Sequence, residues 1–504
     1  MNFFSFMNTV FRVHSPNSLE KIELMTQHHC HQSNLKNRFF FMTLKKISLF
    51  SLILLIVASI DSILNLPASA LFGSSLIFFF VFSAIVFLVP TSLVAAELSA
   101  TFPEKGGVYY WVKKGFGEKW AMVAIWLQWI NTMIWYPTML SFIAGTASYL
   151  IDPDLSQNKW YLILCILIVF WGITLLNLRG IHLSAKINNI CALMGMVFPM
   201  FFLIALGVIW VVQGNPLQIN LNSNQLIPSL SQSTNWIALI AIMASFLGIE
   251  LAGVHVNDIR DPQHNFPKAV FGSSLFILFS MIFGSLSIAF ILPEKEINLV
   301  AGVIQVFSHL FKAFGLQFLT PVLTLLIVIG SIGGMTNWLI SPAKGLLHAA
   351  EYGYLPKFFM RKNQHGIAQN ILISQAILVS LFCFIFLLVP SVNAFYWFLT
   401  ALSTELYMCM YILMFFSACR LHHKYVDRPK TFKIPGGTWG MWTTCLLGLF
   451  GCISTIIVSF FPPANIDIGS HSRYILMICV GNLLSISPVL LFYLYKKKFH
   501  AMNS

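Results

Sequence analysis

Residues 245–269 read SFLGIELAGVHVNDIRDPQHNFPKA, and this stretch decides how the rest of the chain is read. Its first half continues an apolar run that begins near Trp236, and Glu250 then stands between Gly248 and Gly253. An ionised acid at the centre of a membrane helix costs about 2.5–3.5 kcal/mol on the scale measured for Asp, so it persists only where it faces protein or water. Each glycine weakens a helix by about 1 kcal/mol relative to alanine. Together they predict a span broken at this point, with freed N–H and C=O groups turned toward a cavity. Such a break suits a small zwitterion, whose carboxylate meets helix N-termini and whose amine meets an acid or carbonyls. The alternative is a protonated Glu250 bonded to a neighbouring helix, with no ligand.

The surrounding composition supports a membrane reading. Of the 504 residues, 57% are hydrophobic and 9% charged, against about 25% charged in soluble domains. The apolar residues come in blocks of about 20 or more, the length that crosses a bilayer core, whereas a β-barrel would alternate in short segments. The expected fold is an all-α polytopic membrane protein with twelve transmembrane helices. The spans are predicted at 45–66, 71–100, 119–150, 160–178, 186–212, 236–257, 268–292, 317–346, 368–390, 394–419, 439–461 and 473–495.

The net charge of +13 is a topology signal and not a nucleic-acid footprint. With the N-terminus inside, 26 of the 30 Lys and Arg fall in internal segments, and only Lys159, Lys295, Lys312 and Arg473 fall outside. The excess of internal charge places both termini in the cytoplasm. The nine cysteines have no CxxC spacing and avoid external loops, so neither disulfides nor a structural metal is expected. Residues 1–41 read as a polar, disordered cytoplasmic tail, His28-His29-Cys30-His31 included, and Met42 or Met25 reads as the natural start. Residues 496–504 form a short second tail. The loop after span two, TFPEKGGVYYWVKKGFGEKW, is expected to hold a short interfacial helix. RLHHKYVDRPKTFKIPGG, residues 420–437, is the most basic loop and reads as a cytoplasmic strap.

A second acid, Asp61, sits in the first span between Ser59 and Ser62, with Pro67 beyond. Burial raises a carboxyl pKa, which makes Asp61 a candidate proton acceptor or amine ligand; the other reading is a packing Asp bonded to the serines. The first and sixth spans run in opposite directions. Paired interruptions of this kind suggest inverted repeats, 42–212 and 236–421, with two further helices at 438–495. His255 reads as a structural polar residue. Glu97 reads as either an internal gate or a solvated helix end, and Glu405 as either functional or packing. Tyr407 and Tyr411, one turn apart, share a helix face and suit a pocket lining, as does Trp338, although most such aromatics only pack. No Walker loop, HExxH or GxSxG motif is present, so no cofactor and no enzymatic activity is expected.

In their order along the chain, PTSLVAAELSATFPEKGGVYYWV (90–112), the opening stretch, LPEKEINLVAGVIQVF (292–307), KTFKIPGG (430–437) and VSFFPPANI (458–466) resemble the amino acid–polyamine–organocation superfamily. Within it the sequence is most similar to the bacterial glutamate:GABA antiporter family. The resemblance implies a LeuT-type 5+5 inverted repeat plus two C-terminal helices, and exchange of amino acids or their decarboxylation products across the bacterial inner membrane. It places Glu250 on the acid of the broken sixth helix, and Trp338, Tyr407 and Tyr411 on aromatics lining the transport path. VASIDS stands in the first span where the wider superfamily carries Gly-Ser-Gly. Leu64 and Gly334 stand where the acid-resistance antiporter has an aromatic and an acid, and no long C-terminal plug is expected. The resemblance therefore does not by itself assign glutamate and GABA as substrates, and tail-based pH gating is not expected.

The expected substrate-binding set is Ser59, Ile60, Asp61, Ser62, Phe246, Gly248, Glu250, Gly253, Trp338, Tyr407 and Tyr411. Asp61 and Glu250 are the proton-coupling candidates, and Glu97 and Trp338 the gate candidates. The expected partners are an amino acid or amine, membrane lipid and protons, with no nucleic acid and no metal. The rival readings are a proton-coupled amino acid or polyamine symporter and a non-transporting sensor.

Overall fold

The computed structural model describes residues 48–60, 62–102, 107–180, 190–191, 193–220, 226–228, 236–248, 250, 259–351, 353, 355–425 and 430–503. Asp61, Gly253, His255 and the tail with its His28–His31 cluster lie outside the described residues. Those described are mostly helical and contain no strand beyond one isolated bridge between Lys362 and Ala368. Eight helices among them are long and apolar enough to cross a membrane.

The first predicted span is not one helix. Helix α1, Leu49–Ile60, gives way to an extended Ser62 (φ −137°, ψ 121°), then a 3₁₀ turn at Ile63–Asn65. The short α2, Leu66–Ala70, restarts with Pro67 in its first turn, where the missing N–H has no partner to lose. The second span follows as α3, Gly73–Thr101, interrupted by a π turn at Ala84–Leu88 just before Pro90. Proline cannot donate to the preceding turn and crowds its carbonyl, and a wider turn relieves both problems. The fifth predicted span repeats the device, with a π turn at Leu193–Val197 just before Pro199.

Between these, α4 (Gly107–Phe116) occupies the loop after α3 as expected. Its Val108, Tyr109, Trp111 and Val112 are buried, so it packs into the protein as well as meeting the surface. Next come α5, Glu118–Ala147, roughly 45 Å long at 1.5 Å per residue, and α6, Lys159–Leu178, capped by the Asn158 side chain. The whole of α7 runs over Leu193–Val212.

The sixth span is also divided. Helix α8, Ala238–Ser245, stops after eight residues, and Gly248 takes a left-handed φ of +94°, a conformation that costs other L-residues about 1–2 kcal/mol. Helix α9, Pro262–Ile291, begins after Asp261. The following loop holds α10, Gly302–Ala313. Ahead of α10, Ile297–Ala301 are buried: Val300 lies over Gly145 of α5, and Gly302 lies against Pro67 of α2. A Cβ on Gly145 would sit 2.8 Å from Val300, and one on Gly302 2.9 Å from Pro67, so both contacts require glycine.

The remaining helices are α11 (Leu319–Glu351), α12 (Gln369–Leu387), α13 (Val392–Lys424), α14 (Gly437–Ser459), α15 (His471–Ile486) and α16 (Pro488–Asn503). Glycines bring α7 and α11 to backbone contact, because a Cβ on Gly195 would lie 2.4 Å from Gly330 Cα. Small residues of this kind let membrane helices approach closely. At the centre is α13, almost wholly buried along its length and packed on α4, α5, α8 and α14. Asn131 Nδ2 on α5 donates to Ser403 O at 2.6 Å, which fixes the register of the α5–α13 pair.

Candidate functional site

The break in the sixth span lies against α13. With α8 ended at Ser245, the chain turns through Phe246, which is fully buried with its ring 5.9 Å from that of Phe80. Gly248 N–H is left without a helical carbonyl and donates to Tyr411 Oη at 3.0 Å. Tyr411 Oη in turn donates to Glu250 Oε2. Tyr407 Oη donates to Glu250 Oε1 at 2.7 Å. Glu250 is 1% exposed, and Tyr407 and Tyr411 are also buried. The two tyrosines present their hydroxyls together because one turn of α13 separates them; their ring centroids are 5.0 Å apart. Phe87, within the π turn of α3, closes the far side of Tyr411 edge-on at 5.0 Å.

Gln128, on α5, completes the constellation. Its Nε2 donates to Glu250 Oε1 at 3.3 Å and to Tyr407 Oη at 3.2 Å. Sequence reasoning missed Gln128. The available signal was a polar pair, Gln128 and Asn131, inside the apolar run AMVAIWLQWINTMIWYP. All three side chains bonded to Glu250 point donors at it, and none carries a positive charge. Both tyrosine hydroxyls can accept as well as donate, as Tyr407 Oη does from Gln128, so the same contacts serve the ionised and the protonated acid. Among the described residues Glu250 has no fixed counter-ion.

The structure brings Phe246, Gly248, Glu250, Tyr407 and Tyr411 together. Ser62, extended and partly exposed, follows the break in the first span; the side chains of Ser59 and Ile60, at the end of α1, lie outside the described residues with Asp61 and Gly253. This first break is also held by α13, since Tyr396 Oη donates to Leu64 O at 3.2 Å. Trp338 lies on α11, and its side chain is likewise outside the described residues. Glu405, 4% exposed, turns away from Glu250 and faces Asn482 and Ser459.

Glu97 is not a solvated helix end. It is 2% exposed and accepts from Lys430 Nζ at 2.7 Å, from Ile434 N at 2.8 Å and from the His422 Nδ1 position at 2.7 Å. The expectation of a solvated end failed because the strap folds back over the end of α3 and removes it from water.

The chain matches the family model described as amino acid permease over residues 47–483. It is 38% identical to an uncharacterized transporter of Legionella pneumophila, over 84% of this chain and 91% of that one. It is 29% identical to a glutamate/gamma-aminobutyrate antiporter of Lactococcus lactis, over 91% of this chain and 92% of the relative. A protein of the same species named as a probable agmatine/putrescine antiporter is 24% identical, over 83% and 88% of the two chains.

Proposed function

The chain belongs to the amino acid permease family, a family of multi-pass membrane transporters of amino acids and amines, and from that premise we propose an antiporter working by alternating access. Its cargo would be amino acids or the amines formed from them by decarboxylation. In this reading the chain crosses a bacterial inner membrane twelve times with both termini in the cytoplasm. Residues 42–212 and 236–421 form the two inverted repeats, and 438–495 the two added helices. Ser59, Ile60, Asp61 and Ser62 at the first break and Phe246, Gly248, Glu250 and Gly253 at the sixth bind the substrate. Trp338, Tyr407 and Tyr411 shape and gate the path, and Gln128 joins them.

One observation carries the reading: Glu250 is buried at a helix break with donors from three side chains and, among the described residues, no cation bonded to it. A negative charge so deep in lipid persists when something mobile balances it. The ammonium group of an amino acid or amine does so when cargo is bound, and a proton does so otherwise. Relatives named for glutamate/gamma-aminobutyrate and agmatine/putrescine exchange support antiport and an amine-bearing cargo. The test is counterflow in proteoliposomes loaded with a panel of amino acids and amines, where exchange is expected for at least one cargo and requires internal substrate. Failure of every panel member would end the proposal. The same lone carboxylate also suits proton-coupled symport, which would show itself as uptake into empty vesicles driven by a pH gradient.

A further inference from the structure

The strap after α13 is built to hold. Residues 430–434, KTFKI, alternate in burial: Lys430, Phe432 and Ile434 turn inward, and Thr431 and Lys433 turn outward. Inward, the Lys430 side chain is 2% exposed on Glu97 of α3, and Ile434 N–H takes the second oxygen of the same carboxylate. Phe432 is fully buried, with its ring 5.5 Å from that of Phe266 on α9. On the outer edge, Gln263 of α9 receives Lys433 N–H at 2.8 Å and donates Nε2 to Lys433 O at 3.1 Å, so one carboxamide satisfies both backbone groups of that residue. His422, in the last turn of α13 and 11% exposed, closes the group on Glu97. Four strap residues thus engage α3 and α9 through a buried ion pair, backbone hydrogen bonds and apolar anchors, and α13 joins them through His422 on the shared Glu97.

A gate must come apart in each cycle, and separating this assembly would strand a desolvated lysine and a desolvated glutamate together with their backbone partners. We infer that residues 430–434 are a permanent brace that makes the ends of α3, α9 and α13 one rigid body throughout transport, with Lys430 and His422 as its positioning residues. The same α13 carries Tyr407 and Tyr411 at the candidate site. His422 lies roughly 16 Å from Tyr411 along the axis, eleven residues at 1.5 Å each. The brace therefore sets the tilt at which those hydroxyls meet Glu250.

The inference rests on the alternating-access reading, and three measurements separate the two. Gln263→Cys with Lys433→Cys, bridged by a short bifunctional thiosulfonate in proteoliposomes, is expected to exchange cargo within about twofold of the wild type, the rate a static contact predicts. Wild type treated with the same reagent controls for native cysteines. Exchange that stops on bridging and returns on reduction would overturn the brace and make the contact a gate. Lys430→Met is expected to lower the maximum exchange rate at least about tenfold with the apparent KM unchanged, because it leaves Glu97 buried and unpaired. Lys430→Arg should recover the rate, and an undiminished rate in Lys430→Met would count against the brace. Amide hydrogen exchange of Lys433 and Ile434 in the purified protein needs no substrate: protection like that of α13 is expected, and exchange at the rate of an open loop would refute the brace even if no cargo is found.

Discussion

Two spans are broken, and they are broken differently. In the sixth, a glycine in the left-handed region turns the chain, and an acid follows two residues later. In the first, no glycine marks the point: α1 ends at Ile60, and Ser62 continues in an ordinary extended conformation open to any residue. The repairs differ as well. At the sixth break a backbone N–H is satisfied through Tyr411 by a chain of bonds that ends on an acid; at the first, the Leu64 carbonyl is satisfied by the neutral hydroxyl of Tyr396. One helix, α13, supplies both tyrosines. A break can thus be made by a special backbone conformation or merely tolerated because a neighbour receives the freed group, and only the first kind leaves a glycine in the sequence.

Glu250→Gln tests the acidic end of this comparison hardest. An amide cannot carry the charge that would meet an ammonium group, and a hydrogen bond to a charged group is worth about 1.5–3 kcal/mol. That corresponds to a drop in counterflow of about tenfold to a hundredfold or more, with the purified protein still folded by size exclusion. Retained counterflow would make the network structural. Next in size, Gly248→Ala should lower stability by about 1–2 kcal/mol, since alanine resists a positive φ, and a thermal unfolding midpoint in detergent will read it. No shift would mean that the turn is not fixed at Gly248. Tyr396→Phe should cost about 1 kcal/mol by the same measurement, because a buried carbonyl loses its partner, and exchange should persist. Smallest of all, Ser62→Gly should move the midpoint by less than about 0.5 kcal/mol, since position 62 is extended and asks nothing of its backbone that serine cannot give. A large gain there would erase the distinction between the two breaks.

Much of this was legible in particular residues. The break in the sixth span follows from Gly248 and the buried acid, and the pairing of Tyr407 with Tyr411 follows from helical spacing. Residue identity and periodicity also reveal α4 and the membrane character of the chain. Gln128 is harder to find, because a single carboxamide in an apolar run is equally a packing residue until its neighbours across α13 are known. The Glu97–Lys430 pair was out of reach. Its members stand 333 positions apart, and nothing in either local sequence states that the strap returns over α3. The division of the first span was obscured for a related reason: the group that makes it tolerable, Tyr396, lies in a distant helix.

The π turn of α3 has a further consequence. Admitting one extra residue at Ala84–Leu88 rotates everything downstream by roughly 100° relative to an uninterrupted helix, the angle one residue subtends. Without that phase shift, Glu97 would point to a different azimuth and Lys430 would have no anion to meet. Proline at position 90, by dictating the winding of the turn before it, thereby steers a carboxylate seven residues away toward its partner, so restoring plain α winding here without removing a residue would misdirect a charge.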